Sequence, residues 1–266
     1  MWRLVHAIVG RELLRLFRQR GRFLSAMVRP LIWLFVIGAG LGATMGEVGD
    51  PSYQRFLVPG VLGMVLLFGA MLVALSVVYD KEFGVMRLLM IAPVSHYWVV
   101  LAKIASAVVV SLLQVVAFAI LLIPLGFFDA SVSPWLLVLA LVTTAIVCAS
   151  LGMVVAVYSS TLENFSVVMN FVIFPVFFTS GALYPIERLP DALQVVAMAN
   201  PFTYGVDLLK HALLAGTAAP FPADFTVGID LAVATGFAVM ASAVACLRFS
   251  REASAGALSF LLSRQT

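Results

Sequence analysis

Long apolar runs separated by short polar breaks dominate the chain. A spanning helix needs about 20 mostly apolar residues. Six runs meet that length, at about 24–45, 58–79, 97–123, 135–158, 165–183 and 227–247. They are continuously apolar and do not alternate with period two, so a transmembrane β-barrel is disfavoured. A helix satisfies its own backbone hydrogen bonds in lipid and is the default for each run. The pattern therefore predicts an all-α polytopic membrane protein, one transmembrane domain of six spans over residues 1–266.

Three shorter stretches stand apart from the spans. In residues 1–23, Arg11, Arg15, Arg18 and Arg22 recur at i, i+4, i+7 and i+11 and share one helical face. Val9, Leu13, Leu16 and Phe17 cluster on the opposite side. This predicts an interfacial helix with its arginines toward anionic head groups. The connector 82–91 is too oily for a solvated loop. Read as a helix, it aligns Phe83, Met86 and Met90 with Leu89 beside them. Glu82 then sits at its start, where the helix dipole favours an acid, and Pro93 ends it. Such a stripe lies on lipid, on the chain's own spans or in a partner's groove. The pattern leaves partner docking and interfacial resting open. The third stretch, 184–226, carries five prolines and two short helical patterns near 190–199 and 202–215. Re-entrant or interfacial helices are expected there. Asp207 precedes Lys210 by three residues and His211 by four, the spacing of a local ion pair. A gate or substrate contact is the sharper alternative.

Composition supports the membrane assignment. The chain is 63% hydrophobic and 11% charged, with a mean hydropathy of +1.10. Soluble domains carry roughly 25% charged residues. No signal peptide is expected, because the first thirty residues are basic and lack a short apolar core. With the N-terminus in the cytoplasm, thirteen of the 16 Lys and Arg fall on that side, and Arg55, Arg188 and Lys210 on the other. The positive-inside rule then predicts both termini and the 82–91 connector cytoplasmic, and 184–226 external.

Candidate chemistry is sparse. His6, His96 and His211 are spread over different segments and no HExxH occurs, so no metal site is expected. No GxSxG is present, and no GxxxxGK[ST], so the chain cannot hydrolyse ATP through a P-loop of its own. Cys148 and Cys246 lie in apolar runs and read as small packing residues. Ionisable groups are nearly missing from mid-span, which disfavours an ion-coupled secondary transporter. Gln114, Thr143, Thr144 and Asn170 read as helix–helix hydrogen-bonding groups. Glu163 is placed to cap the fifth span or pair with a cytoplasmic cation.

Two motifs carry a family resemblance. EFGVMRLLMIAPVSHYWVVLAK (82–103) resembles the cytoplasmic loop of ABC-2-type transporter permeases. FPVFFTSGALYPIERLP (174–190) followed by NPFTYGVDLLKHAL (200–213) is similar to that family's signature around the fifth span. The resemblance covers essentially the whole chain and points to the subgroup of drug-resistance and nodulation-factor exporters. It implies a homodimeric permease of the bacterial inner membrane that binds no cofactor itself, with ATP and Mg bound by a separate cytoplasmic ABC ATPase. It implies a coupling helix at 82–91, with Glu82, Gly84 and Arg87 beside the apolar Phe83, Met86, Leu89 and Met90. It also implies external re-entrant helices bearing Gly181, Tyr184, Pro185, Asn200, Pro201, Tyr204, Asp207 and Lys210. The cargo expected is amphipathic, lipid-linked or drug-like. An ATP-independent channel or scaffold, or a secondary transporter, is the alternative from another class.

Overall fold

The computed structural model describes residues 2–18, 20–40, 51–85, 95–128, 132–214 and 223–262, and these are helical with short turns and loops between. The helices are α1 (Trp2–Arg18), α2 (Arg20–Ile32, widening into a π turn at Trp33–Ile37), α3 (Pro51–Glu82), α4 (His96–Leu122), α5 (Pro134–Tyr158), α6 (Leu162–Phe178), α7 (Asp191–Ala199), α8 (Pro201–Leu214) and α9 (Val227–Leu262). Four stretches are long and apolar enough to cross a membrane: Tyr53–Glu82, His96–Leu125, Pro134–Tyr158 and Val227–Glu252. The first and fifth predicted spans appear as shorter apolar helices, Ala26–Gly40 and Leu162–Phe178. Three helices open on a proline, whose missing N–H costs nothing in the first turn.

Two boundaries differ from the sequence pattern. The fifth run was expected to continue to 183, but α6 stops at Phe178. Gly181 takes the left-handed conformation at φ +70° and turns the chain. The connector helix was expected to begin at Glu82, which instead closes α3. Phe83 N–H and Gly84 N–H bond back to the Tyr79 and Lys81 carbonyls, and Gly84 sits at φ +76°. This is a glycine-terminated helix end. An ideal Cβ on Gly84 meets nothing within 4 Å, so backbone conformation, not close approach, requires glycine here. Met86, Arg87, Leu89, Met90 and Pro93 lie outside the described residues.

The core centres on α3, which packs against α2, α4, α5, α6 and α8. Small residues let the helices close on one another. An ideal Cβ on Gly60 would stand 2.5 Å from the Ala182 carbonyl oxygen, and one on Gly205 2.8 Å from Thr144 Oγ1. Thr144 donates to the Ala140 and Gly205 carbonyls, the second a cross-helix bond of the kind expected for it. Gln114 is buried without a hydrogen-bond partner, its amide lodged against Gly69. Cys148 and Cys246 are free and buried, as packing residues would be. Trp33 meets Phe177 and Phe178 edge-on, joining the π turn to the end of α6.

Candidate functional site

Two clusters of polar residues occupy opposite ends of the bundle. At the basic end, the last three residues of α3 tie five other helices together. Asp80 accepts from Arg11 of α1 and from Lys103 of α4, the latter at 2.8 Å. Lys81 donates to the Val157 carbonyl at the end of α5 (2.9 Å) and pairs with Glu252 of α9 at 3.0 Å. The Glu82 carboxylate accepts the Leu162 N–H at 2.7 Å, serving one of the orphan donors at the start of α6. Thr161 caps the same helix by accepting from Asn164, so Glu163 is not the cap.

The interior of this cluster is an ion network. Lys103 donates to Glu12 at 2.9 Å, and Ser76 donates to the same carboxylate at 3.0 Å. Glu12, Asp80 and Lys103 are all buried. Two acids face two bases, since Arg11 also touches Glu12. Burial pulls the Arg11 guanidinium down, but Asp80 and Glu12 outweigh it and hold its pKa above the ordinary value. The arginine face of α1 is therefore not turned wholly toward head groups. Arg11 is paired inward and Arg15 lies over the Tyr79 ring at 5.0 Å, while Arg18 is exposed. The side chain of Arg22 lies outside the described ones. The inward face centres on Ile8 and Glu12, and Phe17, expected on the apolar face, is exposed. The helix is rolled by roughly a quarter turn from the sequence reading because Glu12 must meet Lys103 (~100° per residue).

Immediately after Glu82 an aromatic residue is exposed. The Phe83 ring is 59% exposed and stacks on Tyr79 with centroids 4.3 Å apart.

At the far end, α7, α8 and the loop around Gly181 form a cap over the start of α3. Asn200 joins two helix ends. It donates to the Val176 carbonyl (2.6 Å) and to Thr179 Oγ1 (3.1 Å), and its oxygen accepts the Phe202 N–H at the start of α8. With Pro201 in the first turn, this is an N-cap that also ties down α6. Tyr184 donates to the Phe178 carbonyl, Tyr204 to Met198, and Tyr53 of α3 to Leu183. Burial pushes the Tyr184 phenol up. Pro185 opens the 3-10 turn Ile186–Arg188.

Asp207 and Lys210 form the local ion pair that their spacing suggests, but neither makes its shortest contact there. Lys210 has its short contact with Asp224, fourteen residues on, and lies 3.7 Å from Asp207. Asp207 accepts the N–H groups of Asp224 and Phe225, both at 2.8 Å. Asp224 also receives the Ile186 N–H at 3.1 Å. His211 Nε2 lies 2.8 Å from the Phe225 carbonyl. Desolvation of the Asp207 and Asp224 carboxylates is thus met by one ammonium and three backbone amides.

The family model described as ABC-2 type transporter matches residues 3–214, which span both clusters except the final strip of loop and α9. The chain belongs to the ABC-2 type transporter family. Nodulation protein J of Rhizobium leguminosarum bv. trifolii is 28% identical over 197 residues, 72% of this chain and 73% of that one. The putative transport permease ycf38 of Porphyra purpurea is 26% identical over 78% of this chain and 72% of its own. The inner membrane transport permease YadH of Escherichia coli K12 is 26% identical over 88% and 91%. The chain is a multi-pass membrane transport permease of an ABC system, a transport subunit and not a catalytic enzyme, and its family implies an ABC ATPase partner.

In this ABC-2 permease the residues marked from sequence at the far end, Gly181, Tyr184, Pro185, Asn200, Pro201, Tyr204, Asp207 and Lys210, come together in one cap. Sequence reasoning missed Glu12, Asp80, Asp224 and Asp230. Glu12 carried a signal: it interrupts the stripe Val9, Leu13, Leu16 at helical spacing. Lys103 was read as a topogenic cation, although it lies seven residues into the third run. Asp224 carried none, because a loop delivers it.

Proposed function

We propose that this permease is the membrane half of a homodimeric ABC exporter in the inner membrane. In this reading the basic end and both termini face the cytoplasm. A separate ATPase binds ATP and Mg and docks on the connector after Glu82. The cargo is amphipathic, lipid-linked or drug-like and leaves by the far end. The observation that carries the proposal is the knot at Asp80, Lys81 and Glu82. The segment offered to the ATPase starts one residue past it, so a push on that segment is delivered to α1, α4, α5, α6 and α9 together. Closure of the ATPase pair would then bias two packings of the bundle. Exposed Phe83 starts the apolar stripe, with Met86, Leu89 and Met90 continuing it and Arg87 at its rim. One relative's printed name, inner membrane transport permease, supports a transport role.

The test is co-purification. Tagged permease from its native membranes should carry a Walker-motif ATPase. Met86→Asp should lose it, and Gly84→Pro should uncouple export, with insertion unchanged. Normal ATPase retention and normal export in both variants would overturn the proposal.

A further inference from the structure

The far-end cap holds a carboxylate that its hydrogen-bond network does not serve. Asp230 lies in the first turn of α9 and is 0% exposed, and neither of its oxygens has a hydrogen-bond partner. A buried unpaired carboxylate is among the most costly arrangements in a fold. Its nearest ionisable neighbours are His211 and Asp207, one turn apart on the same face of α8. His211 Nε2 stands 3.7 Å from Asp230 Oδ2 and 3.9 Å from Asp207 Oδ2. Both separations are too long for a hydrogen bond.

We propose that Asp207, His211 and Asp230 bind one divalent transition-metal ion, His211 Nε2 giving up its hydrogen bond to the Phe225 carbonyl and releasing its proton to solvent as it binds. One atom from each of the three residues falls within 4.8 Å of the others. Donors around a tetrahedral ion at ~2.0–2.2 Å stand roughly 3.3–3.6 Å apart, so little movement closes the set. Asp207 is already oriented as a metal ligand would be, its oxygens fixed by the Asp224 and Phe225 amides. The charge also fits. Asp207, Asp224 and Asp230 share one buried ammonium, Lys210, and that ammonium makes its short contact with Asp224. A dication beside Asp207 and Asp230 offsets the remainder.

The donor types choose the ion. One imidazole and two carboxylates suit zinc or manganese, whereas calcium and magnesium favour sites of oxygen alone. The His211 side chain is about a quarter exposed while both carboxylates are buried, so the imidazole lies at the mouth of the site. The ion would bind α8 to α9 across the loop between them. Sequence spacing hid the site because its ligands are i and i+4 on one helix and a third residue on another.

The experiment uses the full chain in detergent micelles, stripped with EDTA and titrated with Zn²⁺ or Mn²⁺. Calorimetry and elemental analysis read the affinity and stoichiometry. One ion per chain is expected for at least one of the two metals, with a raised unfolding temperature. His211→Ala and Asp230→Asn should each weaken binding by about tenfold or more. His211 is partly exposed, so its variant tests the site even where Asp230→Asn fails to fold. Absence of stoichiometric binding of either metal, or unchanged binding in His211→Ala, overturns the proposal. The readout needs neither ATP, ATPase nor cargo, so it stands or falls apart from the exporter reading.

Discussion

Lys103 of α4 donates to Glu12 of α1 at 2.9 Å, and both side chains are almost wholly withdrawn from solvent. This pair fixes the N-terminal helix to the bundle in one rotation. It also makes α1 part of the same network as Asp80 at the end of α3. Breaking one side of a buried ion pair costs about 3–5 kcal/mol, because the other charge is left uncompensated.

Lys103→Met should therefore lower the unfolding temperature of the purified permease sharply. Adding Glu12→Gln should restore much of the loss, since Asp80 then balances Arg11. Thermal unfolding in micelles reads both variants. Equal stability of Lys103→Met and the parent chain would refute the network's structural weight.

Glu82 and Phe83 are adjacent, but the first holds the start of α6 while the second is exposed. Glu82→Ala frees the Leu162 N–H and should cost about 1 kcal/mol, the worth of a lost helix cap. It should leave ATPase co-purification intact while export per ATP hydrolysed falls several-fold. Phe83→Asp should do the reverse, weakening association first. Co-purification and coupled transport assays distinguish them.

Gly60 packs against the backbone of Ala182, so Gly60→Ala cannot be relieved by a rotamer change. A cost of about 1–3 kcal/mol is expected from overpacking. Gly10, in α1, meets nothing within 4 Å, and Gly10→Ala should be neutral or stabilise by roughly 0.5–1 kcal/mol through helix propensity. The two unfolding temperatures should move in opposite directions or differ clearly.

Asn200→Ala removes the cap of α8 and leaves the Val176 carbonyl without its donor. The expected loss is about 1 kcal/mol for the cap, with ~1–3 kcal/mol more for the unpaired carbonyl. Limited proteolysis should show faster cutting near Thr179–Gly181, while the rest of the bundle stays protected. Unchanged cutting would place the strength of the cap elsewhere.

Hydropathy made the long helices legible, because crossing length and unbroken apolarity leave few other folds. Starts were readable where Pro134 and Pro201 mark them, but α3 begins at Pro51, well before the apolar run that starts at 58. Ends were not, since Phe178 stops α6 through a glycine conformation that apolarity cannot report, and Glu82 closes α3 where helix continuation looked equally good. The far-end cap was legible as a group of residues but not as a set of partners. Asp207 pairs with Lys210 as spacing indicates, but its hydrogen bonds come from two amides contributed by a loop. Lys103 shows the same limit: a charge near a span end reads as a topology signal until tertiary contact gives it two acids.

The left-handed Gly84 divides the chain into two jurisdictions. Asp80, Lys81 and Glu82 answer to five helices, and a change in any of them must be matched inside the bundle. At Phe83 that constraint ends, and the residue faces outward. In the proposed exporter, a change of motor then needs only a few residues beyond one glycine to be rewritten, leaving the bundle as it stands.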